Sequence, residues 1–360
     1  MTIKTLNRRQ VLVAGAAGAT GMTALATPSI AQGPTRWKMV TSWPKNLPGP
    51  GVSAQRVADR IGTLSGGRLT VELLAAGEMV PAFGVFDAVS QGAAEMAHTA
   101  AFFWQGKVPG AVYFTTVPFG LTPEEHSSWV RNGGGQALWD ALYQPFGIKP
   151  FMAGNSGFQM GGWFRNPVTS LDDLKGVTIR AAGLGAEVFR TLGMNAVAIP
   201  PGEIFSALQS GVVDAVEFLG PSSDMALGFD KVAKYYLWPS FNKPNGTGEA
   251  LVSTKAFDAL DGELQAVVRT ACEMEAAAAL AEADWLNGRA IASIRHKGDV
   301  TLERWPEPVV QAAKTAAFQV MEAMATQSQQ TRAIAESYSQ ALAVLGGWSA
   351  VSVAPYLADR

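Results

Sequence analysis

Residues 171–180 read Leu-Asp-Asp-Leu-Lys-Gly-Val-Thr-Ile-Arg, residues 181–190 read Ala-Ala-Gly-Leu-Gly-Ala-Glu-Val-Phe-Arg, and residues 208–220 read Leu-Gln-Ser-Gly-Val-Val-Asp-Ala-Val-Glu-Phe-Leu-Gly. The order is turn, strand, helix, strand. Leu171 to Leu174 with Gly176 make the turn, and Val177 to Ile179 form a short β-branched run ending at Arg180. Strand, helix and second apolar strand are the repeating unit of α/β folds. Arg180 falls at the carboxyl end of its strand, the edge where open α/β sheets hold ligands. Its guanidinium stays charged at any working pH and presents a planar fork that matches a carboxylate. Arg180 is therefore a candidate grip for an anionic small molecule. A surface arginine paired with a carboxylate is the alternative that the residues leave open.

The alternation extends in both directions. Trp37 to Thr41 predicts a strand, Ser42-Trp43-Pro44 a turn, Val52 to Leu64 a helix and Leu69 to Leu74 a second strand. A helix near Pro81 to Gln91 and a strand near Glu95 to Ala100 complete a doubly wound half. An aromatic stretch follows, with Phe102, Phe103, Trp104, Tyr113, Phe114 and Phe119. One helix is expected from Glu124 to Tyr143, then a strand from Ile148 to Met152 that crosses into a second lobe. There the strands are Trp163-Phe164, Val177 to Arg180 and Val212 to Phe218, with a helix from Ala186 to Leu192. Asp261 is the expected N-cap of a helix that runs to about Arg295 and spans roughly 50 Å, more than one lobe. Val300 to Trp305 reads as a strand and Pro308 to Ser328 as a helix.

Residues 1–31 read as an export leader and not as fold. Asn7-Arg8-Arg9-Gln10 precedes a Gly- and Ala-rich apolar run, and Ser29-Ile30-Ala31 supplies a small-residue cleavage pattern. The paired arginines and weakly apolar core favour the twin-arginine route. Without the leader, 25 of the 28 basic residues remain against 30 acidic ones. That balance, with no dense basic cluster, argues against nucleic acid as a partner. The single cysteine, Cys272, excludes an internal disulfide and a thiolate-rich metal site within one chain.

Other residues are candidates by type and place. Asn155 and Gln159 lie in a Gly-rich segment, as ligand donors or as turn formers. Glu217 ends an apolar run, so a buried carboxylate there needs a metal, a cation or a donor. His98, His126 and His296 have no metal-ligand spacing and read as satisfied structural or surface histidines. Gly183-Leu184-Gly185, with Glu203 twenty residues past Gly183, imitates part of a dinucleotide fingerprint, although Val188 stands where the third glycine belongs. An exported nicotinamide-dependent oxidoreductase is thus the second function to weigh. A hydrolase lacks both a Gly-x-Ser-x-Gly elbow and a sequence-evident histidine partner for Ser156.

Leu-Lys-Gly-x-x-x-Arg at 174–180, followed by Ala-Leu-Gln-x-Gly-x-Val-Asp-Ala-x-Glu at 207–217, resembles the signature of TRAP transporter solute-binding proteins. Residues 154–164 are most similar to the branch that binds 2-oxo acids. The resemblance implies an α/β fold of the two-lobed periplasmic binding type, with a long lobe-spanning helix and C-terminal helices. It places lobe I at 32–153 plus about 244–300, lobe II at 154–243 and a C-terminal helical region at about 301–360. It implies a periplasmic receptor, not an enzyme, that closes over a small organic acid and delivers it to membrane permease subunits. Arg180, Asn155, Gln159, Glu217, Phe218, Phe103, Trp43 and Lys243 form the implied substrate-binding set. Phe102 and Phe103 replace a ligand-facing tyrosine, and Phe218 stands where the branch has tryptophan. Gln159, Glu217 and the Phe218 backbone are the implied ligands of a bridging Na+ or Ca2+. Lys243 departs from the pattern by replacing a second metal-binding glutamate, and an ammonium cannot ligate a cation. Exchange of a C-terminal helix between copies, as in that branch, would make a homodimer.

Overall fold

The computed structural model describes residues 33–360, so the leader expected over 1–31 lies outside the described residues. In chain order the strands are β1 (Thr35–Thr41), β2 (Leu69–Leu74), β3 (Met96–Thr99), β4 (Ile148–Asn155), β5 (Gly162–Phe164), β6 (Thr178–Arg180), β7 (Asn195–Val197), β8 (Ala215–Val216), β9 (Tyr235–Trp238), β10 (Thr247–Ser253) and β11 (Thr301–Arg304). They form two mixed sheets, ordered β2-β1-β3-β10-β4 and β11-β9-β5-β8-β6-β7. In the first, β1 runs parallel to β2 and β3, while β10 is antiparallel to both its neighbours. In the second, β6 is parallel to β7 and β8, and β5 is antiparallel to β8 and β9.

The helices that bear on the site are α1 (Pro50–Leu64), α2 (Gly183–Thr191), α3 (Pro221–Ala226), α4 (Gly262–Lys297), α5 (Glu307–Ala325) and α6 (Gln329–Val351). Pro50 opens α1 at a position where its missing N–H costs nothing, and Ala54, Val57, Ala58 and Ile61 form its buried stripe. Asp261 caps α4 as expected, accepting from the Leu264 N–H at 2.8 Å, and Gly298 at φ +69° ends it. At 1.5 Å per residue its 36 residues span about 54 Å. Near its start the buried Glu275 takes Arg56 and Arg60 of α1. Further along, Asn287 accepts from the Ser222 N–H of α3 at 3.1 Å. One rigid rod thus touches elements attached to both sheets.

The chain passes between the sheets at 156–161, at 239–246 and, by way of α4, over 254–300. The first two connectors run side by side. The Ser156 N–H donates to the Gly246 carbonyl at 3.0 Å, and the Gly161 N–H to the Leu237 carbonyl at 2.8 Å.

Several expected elements differ. The single helix over 124–143 is two, Pro123–Asn132 and Gly135–Tyr143, because Gly134 sits at φ +85° between them. The strand expected over 212–218 is only Ala215–Val216. Gly211 at φ +79° ends the preceding helix, and Val212 is exposed. The strand expected near 300–305 is β11, which pairs in parallel with β9, so the tail contributes to the second sheet. From there α5 buries Val309, Ala313, Ala316 and Ala317 in that sheet's core cluster. α6 buries Thr331, Ile334 and Tyr338, whose hydroxyl accepts the Leu121 N–H at 2.8 Å.

Candidate functional site

Where the two connectors leave β4 and approach β10, a cavity opens against the ends of β1 and β3. Trp43, Phe102, Phe103, Phe218 and Leu219 form its apolar wall, and His98, Thr115, Asn155, Ser156, Gln159, Lys243 and Thr247 its polar one. The cavity has room for only a few water-sized groups. Any occupant is therefore small.

The apolar wall is locked by ring contacts. Phe103 packs on Trp43 at 6.0 Å and on Phe102 at 4.6 Å between centroids. Trp43 Nε1 donates to His98 Nδ1 at 2.9 Å, which leaves His98 Nε2 to donate to the Ala153 carbonyl at 2.8 Å. Burial holds this imidazole below its ordinary pKa, so it stays neutral. His98 is structural, as expected, and also a wall of the cavity, which its lack of ligand spacing did not signal.

The polar side chains divide into those already committed and those with capacity left. Asn155 is committed at both ends. Its Nδ2 donates to Asn245 at 3.0 Å and Thr247 at 3.2 Å, and its Oδ1 accepts the Gly157 N–H at 2.8 Å. Gln159 is buried with only one end used: Nε2 donates to Ser156 Oγ at 2.7 Å, and Oε1 has no partner. The Thr115 hydroxyl is also buried without a partner. An orphaned buried polar atom costs about 1–3 kcal/mol, which a bound polar group would recover.

Arg180, Glu217 and Lys243 form a buried charge cluster, each no more than 2% exposed. β6 and β8 place the first two side by side, and the Glu217 N–H donates to the Arg180 carbonyl at 2.9 Å. The guanidinium donates from Nη1 to the Glu217 carbonyl at 2.7 Å and from Nε to the Ile199 carbonyl at 3.2 Å, which leaves Nη2 free of those bonds. It lies 5.1 Å from the Phe218 ring centroid. Arg180 is not among the lining residues, but Phe218, whose ring it faces, is. Burial lowers its pKa to about 10, still fully charged at neutral pH. Lys243 does line the cavity. Its Nζ lies 2.7 Å from Glu217 Oε1, donates to the Phe218 carbonyl and sits 5.3 Å from the Phe102 ring centroid. Burial pushes this ammonium down in pKa, and Glu217 opposes the shift. Behind the cluster, burial raises the Asp224 carboxyl to about 7, where it accepts from Trp163 Nε1, Tyr236 and the Leu219 N–H.

A bridging cation would need the Glu217 carboxylate, the Phe218 carbonyl and the Gln159 amide. The first two already face the Lys243 ammonium, so this donor set does not fit a free cation. Among the described residues there is also no group of three or more His, Cys, Asp or Glu side chains that could hold a metal ion.

The glycines that imitate a dinucleotide fingerprint have another use. A Cβ at Gly183, itself at φ +66°, would meet Phe102, and one at Gly185 would meet Asn242. They let α2 pack tightly against the aromatic wall and the second connector, so packing accounts for both glycines. The oxidoreductase expectation is not supported.

Comparison with known proteins agrees. The chain is 36% identical over 359 residues, 98% of both chains, to a monocarboxylate 2-oxoacid-binding periplasmic protein of Nostoc sp. (strain PCC 7120). A TRAP periplasmic solute-binding protein of Pseudoalteromonas atlantica, solved with sodium and pyruvate bound, superposes with a TM-score of 0.88 at 32% identity, covering 91% of this chain and 99% of that one. A TRAP solute-binding protein of Bordetella bronchiseptica, solved as a mixed-occupancy dimer with copurified calcium and picolinate, gives 0.87 at 33% identity over 91% and 97%. Residues 41–328 match the family described as bacterial extracellular solute-binding protein, family 7. The chain belongs to that family, DctP, the solute-binding receptors of TRAP transporters.

Proposed function

We propose that this receptor works in the periplasm, without catalysis, and captures a small monocarboxylate, of the 2-oxo or 2-hydroxy class, in the cavity beside Lys243. The observation that carries this reading is the buried positive charge of Arg180 and Lys243, which Glu217 and the partly ionised Asp224 do not fully offset, next to a small aromatic-walled cavity. A carboxylate supplies the missing negative charge. Gln159 and Thr115 orient its polar remainder, and Trp43, Phe102, Phe103 and Phe218 cover its apolar part. Asn155 holds the connector in shape. The relatives solved with pyruvate or picolinate support a small acid.

In this reading, 32–153 with about 244–300 forms one lobe and 154–243 the other. They close by bending at the connectors, as hinged receptors do around their ligands. Wrong ligands leave Gln159 or the ammonium unpaired, which is where selectivity arises. Two copies associate through the C-terminal segment, where Val344, Trp348, Val351 and Tyr356 are each more than 60% exposed. Gln329–Asp359 is long and apolar enough to cross a membrane by length and composition, but Thr331, Ile334 and Tyr338 dock it on the protein. The rest of that apolar face suits a second copy.

A thermal-shift screen of the refolded mature protein tests the ligand class, with oxo acids, hydroxy acids, aromatic acids and sulfonates, and with Arg180→Ala in parallel. Ligand at 100 times its Kd adds about 2.7 kcal/mol. Stabilisation of the wild type by monocarboxylates, lost in the variant, is the expected result. Stabilisation by none of them would reject the reading.

A further inference from the structure

We infer that Lys243 is a built-in cation: its ammonium, set beside the Glu217 carboxylate and the Phe218 carbonyl, does the work of a free sodium or calcium ion, so that this receptor binds its acid without a metal. The inference rests on the proposed function and narrows how the carboxylate is held.

Geometry is the first support. The Lys243 Nζ lies 2.7 Å from Glu217 Oε1 and donates to the Phe218 carbonyl. A carboxylate and a carbonyl, both removed from water, are what a hard cation would seek. An ammonium already on them leaves no room for a second cation, and two positive charges a few ångströms apart in a buried site repel strongly. The ammonium has three donors. The Phe218 carbonyl takes one, Glu217 Oε1 lies 2.7 Å away as an ion-pair partner with no hydrogen bond formed, and the residue lines the cavity, so donor capacity remains for an oxygen of the ligand.

Charge balance is the second support. Arg180, Lys243 and Glu217 sum to one formal positive charge, which Asp224 behind them, with its carboxyl raised to about 7, offsets only in part at neutral pH, so a ligand carboxylate completes the neutralisation. Adding calcium would bring two more positive charges and leave them uncompensated after a monocarboxylate has bound, in a site that excludes water. The anchoring of Lys243 is also specific. Ser240 Oγ donates to the Lys243 carbonyl at 3.0 Å and the Lys243 N–H donates to Ser240 Oγ at 3.2 Å, which fixes the backbone from which the side chain reaches Glu217.

The test uses the full mature protein, refolded and passed over a chelating resin, with calcium and pyruvate as separate probes. Elemental analysis and equilibrium dialysis with calcium alone should find no stoichiometric metal in the wild type. Lys243→Gln, which removes the ammonium and leaves Glu217 and Phe218 in place, should acquire a calcium-dependent rise in Tm. Pyruvate affinity of the wild type should change by less than about twofold between a chelator-containing, sodium-free buffer and one with calcium and sodium. In metal-free buffer Lys243→Gln should bind pyruvate about a hundredfold more weakly. One equivalent of calcium or sodium retained by the wild type, or pyruvate binding lost on chelation and restored by metal, would overturn the inference. Failure of pyruvate to bind in either buffer would count against the ligand reading, while the metal content would still decide the role of Lys243.

Discussion

Replacing Glu217 by Gln keeps the shape of the side chain and removes the carboxylate that pairs with the buried Lys243 ammonium. Lys243 and Glu217 are 3% and 1% exposed at their side chains, so water cannot take over the lost role. Breaking a buried pair by removing one partner costs about 3–5 kcal/mol. For a folded chain of about 330 residues the unfolding entropy is roughly 0.7 kcal/mol/K, so a loss of about 4 kcal/mol lowers Tm by about 6 °C. Adding Lys243→Met removes the stranded ammonium with a side chain of similar length, and the double variant should regain most of the loss. The assay is a double-mutant cycle by thermal and urea unfolding, followed by circular dichroism, on ligand-free protein. A coupling of about 2 kcal/mol or more is expected. Strictly additive losses would mean that the carboxylate and the ammonium do not hold each other, and the reasoning about the charge cluster would fall with that result.

Glu249 accepts from Trp104 Nε1 at 2.7 Å and from Tyr143 at 3.1 Å, and burial raises its pKa to about 8. A raised folded pKa means that this carboxyl favours the fold fully below its unfolded value near 4.5 and loses that contribution as pH rises through about 8. Glu249→Gln should therefore flatten the fall of stability between those limits, measured by urea unfolding across pH; an unchanged slope would refute the assignment. At Gly246 a Cβ would overlap Ser156 Oγ and Gln159 Nε2, so Gly246→Ala should cost about 1–3 kcal/mol and weaken pyruvate binding at least about tenfold, read by calorimetry. Trp348→Glu, at a side chain 66% exposed, should convert a dimer into a monomer in sedimentation velocity with little change in Tm; a monomeric wild type would remove the dimer reading.

What the sequence made legible was what local chemistry dictates. Asp261 and a helical pattern with few breaks specified α4, and the β-branched run before Arg180 specified β6. β10 was not legible, because buried Glu249 and the adjoining Gly248 interrupt any apolar pattern and the strand is held by β4 and β3, partners far away in sequence. Separation in sequence also hid the pairing of β11 with β9. In the site, the residue types were readable but their obligations were not. Nothing local says that both ends of Asn155 are consumed by Asn245, Thr247 and Gly157, or that Phe218 lines the cavity and Arg180 does not. Lys243 was visible as a departure from the family pattern, and the fold supplied its partner.

The bond from the Ser156 N–H to the Gly246 carbonyl joins the two connectors where they also line the cavity. Joint and pocket floor are therefore the same residues. If the closed form is only a fraction of the population, every ligand's apparent Kd is its intrinsic value divided by that fraction. Substitutions that stiffen or loosen 156–161 or 239–246 without touching the ligand should then rescale all ligands by one common factor. Substitutions in the wall at Trp43, Phe103 or Phe218 should instead change the ratios between ligands, so affinity and preference can be tuned separately on the same cavity.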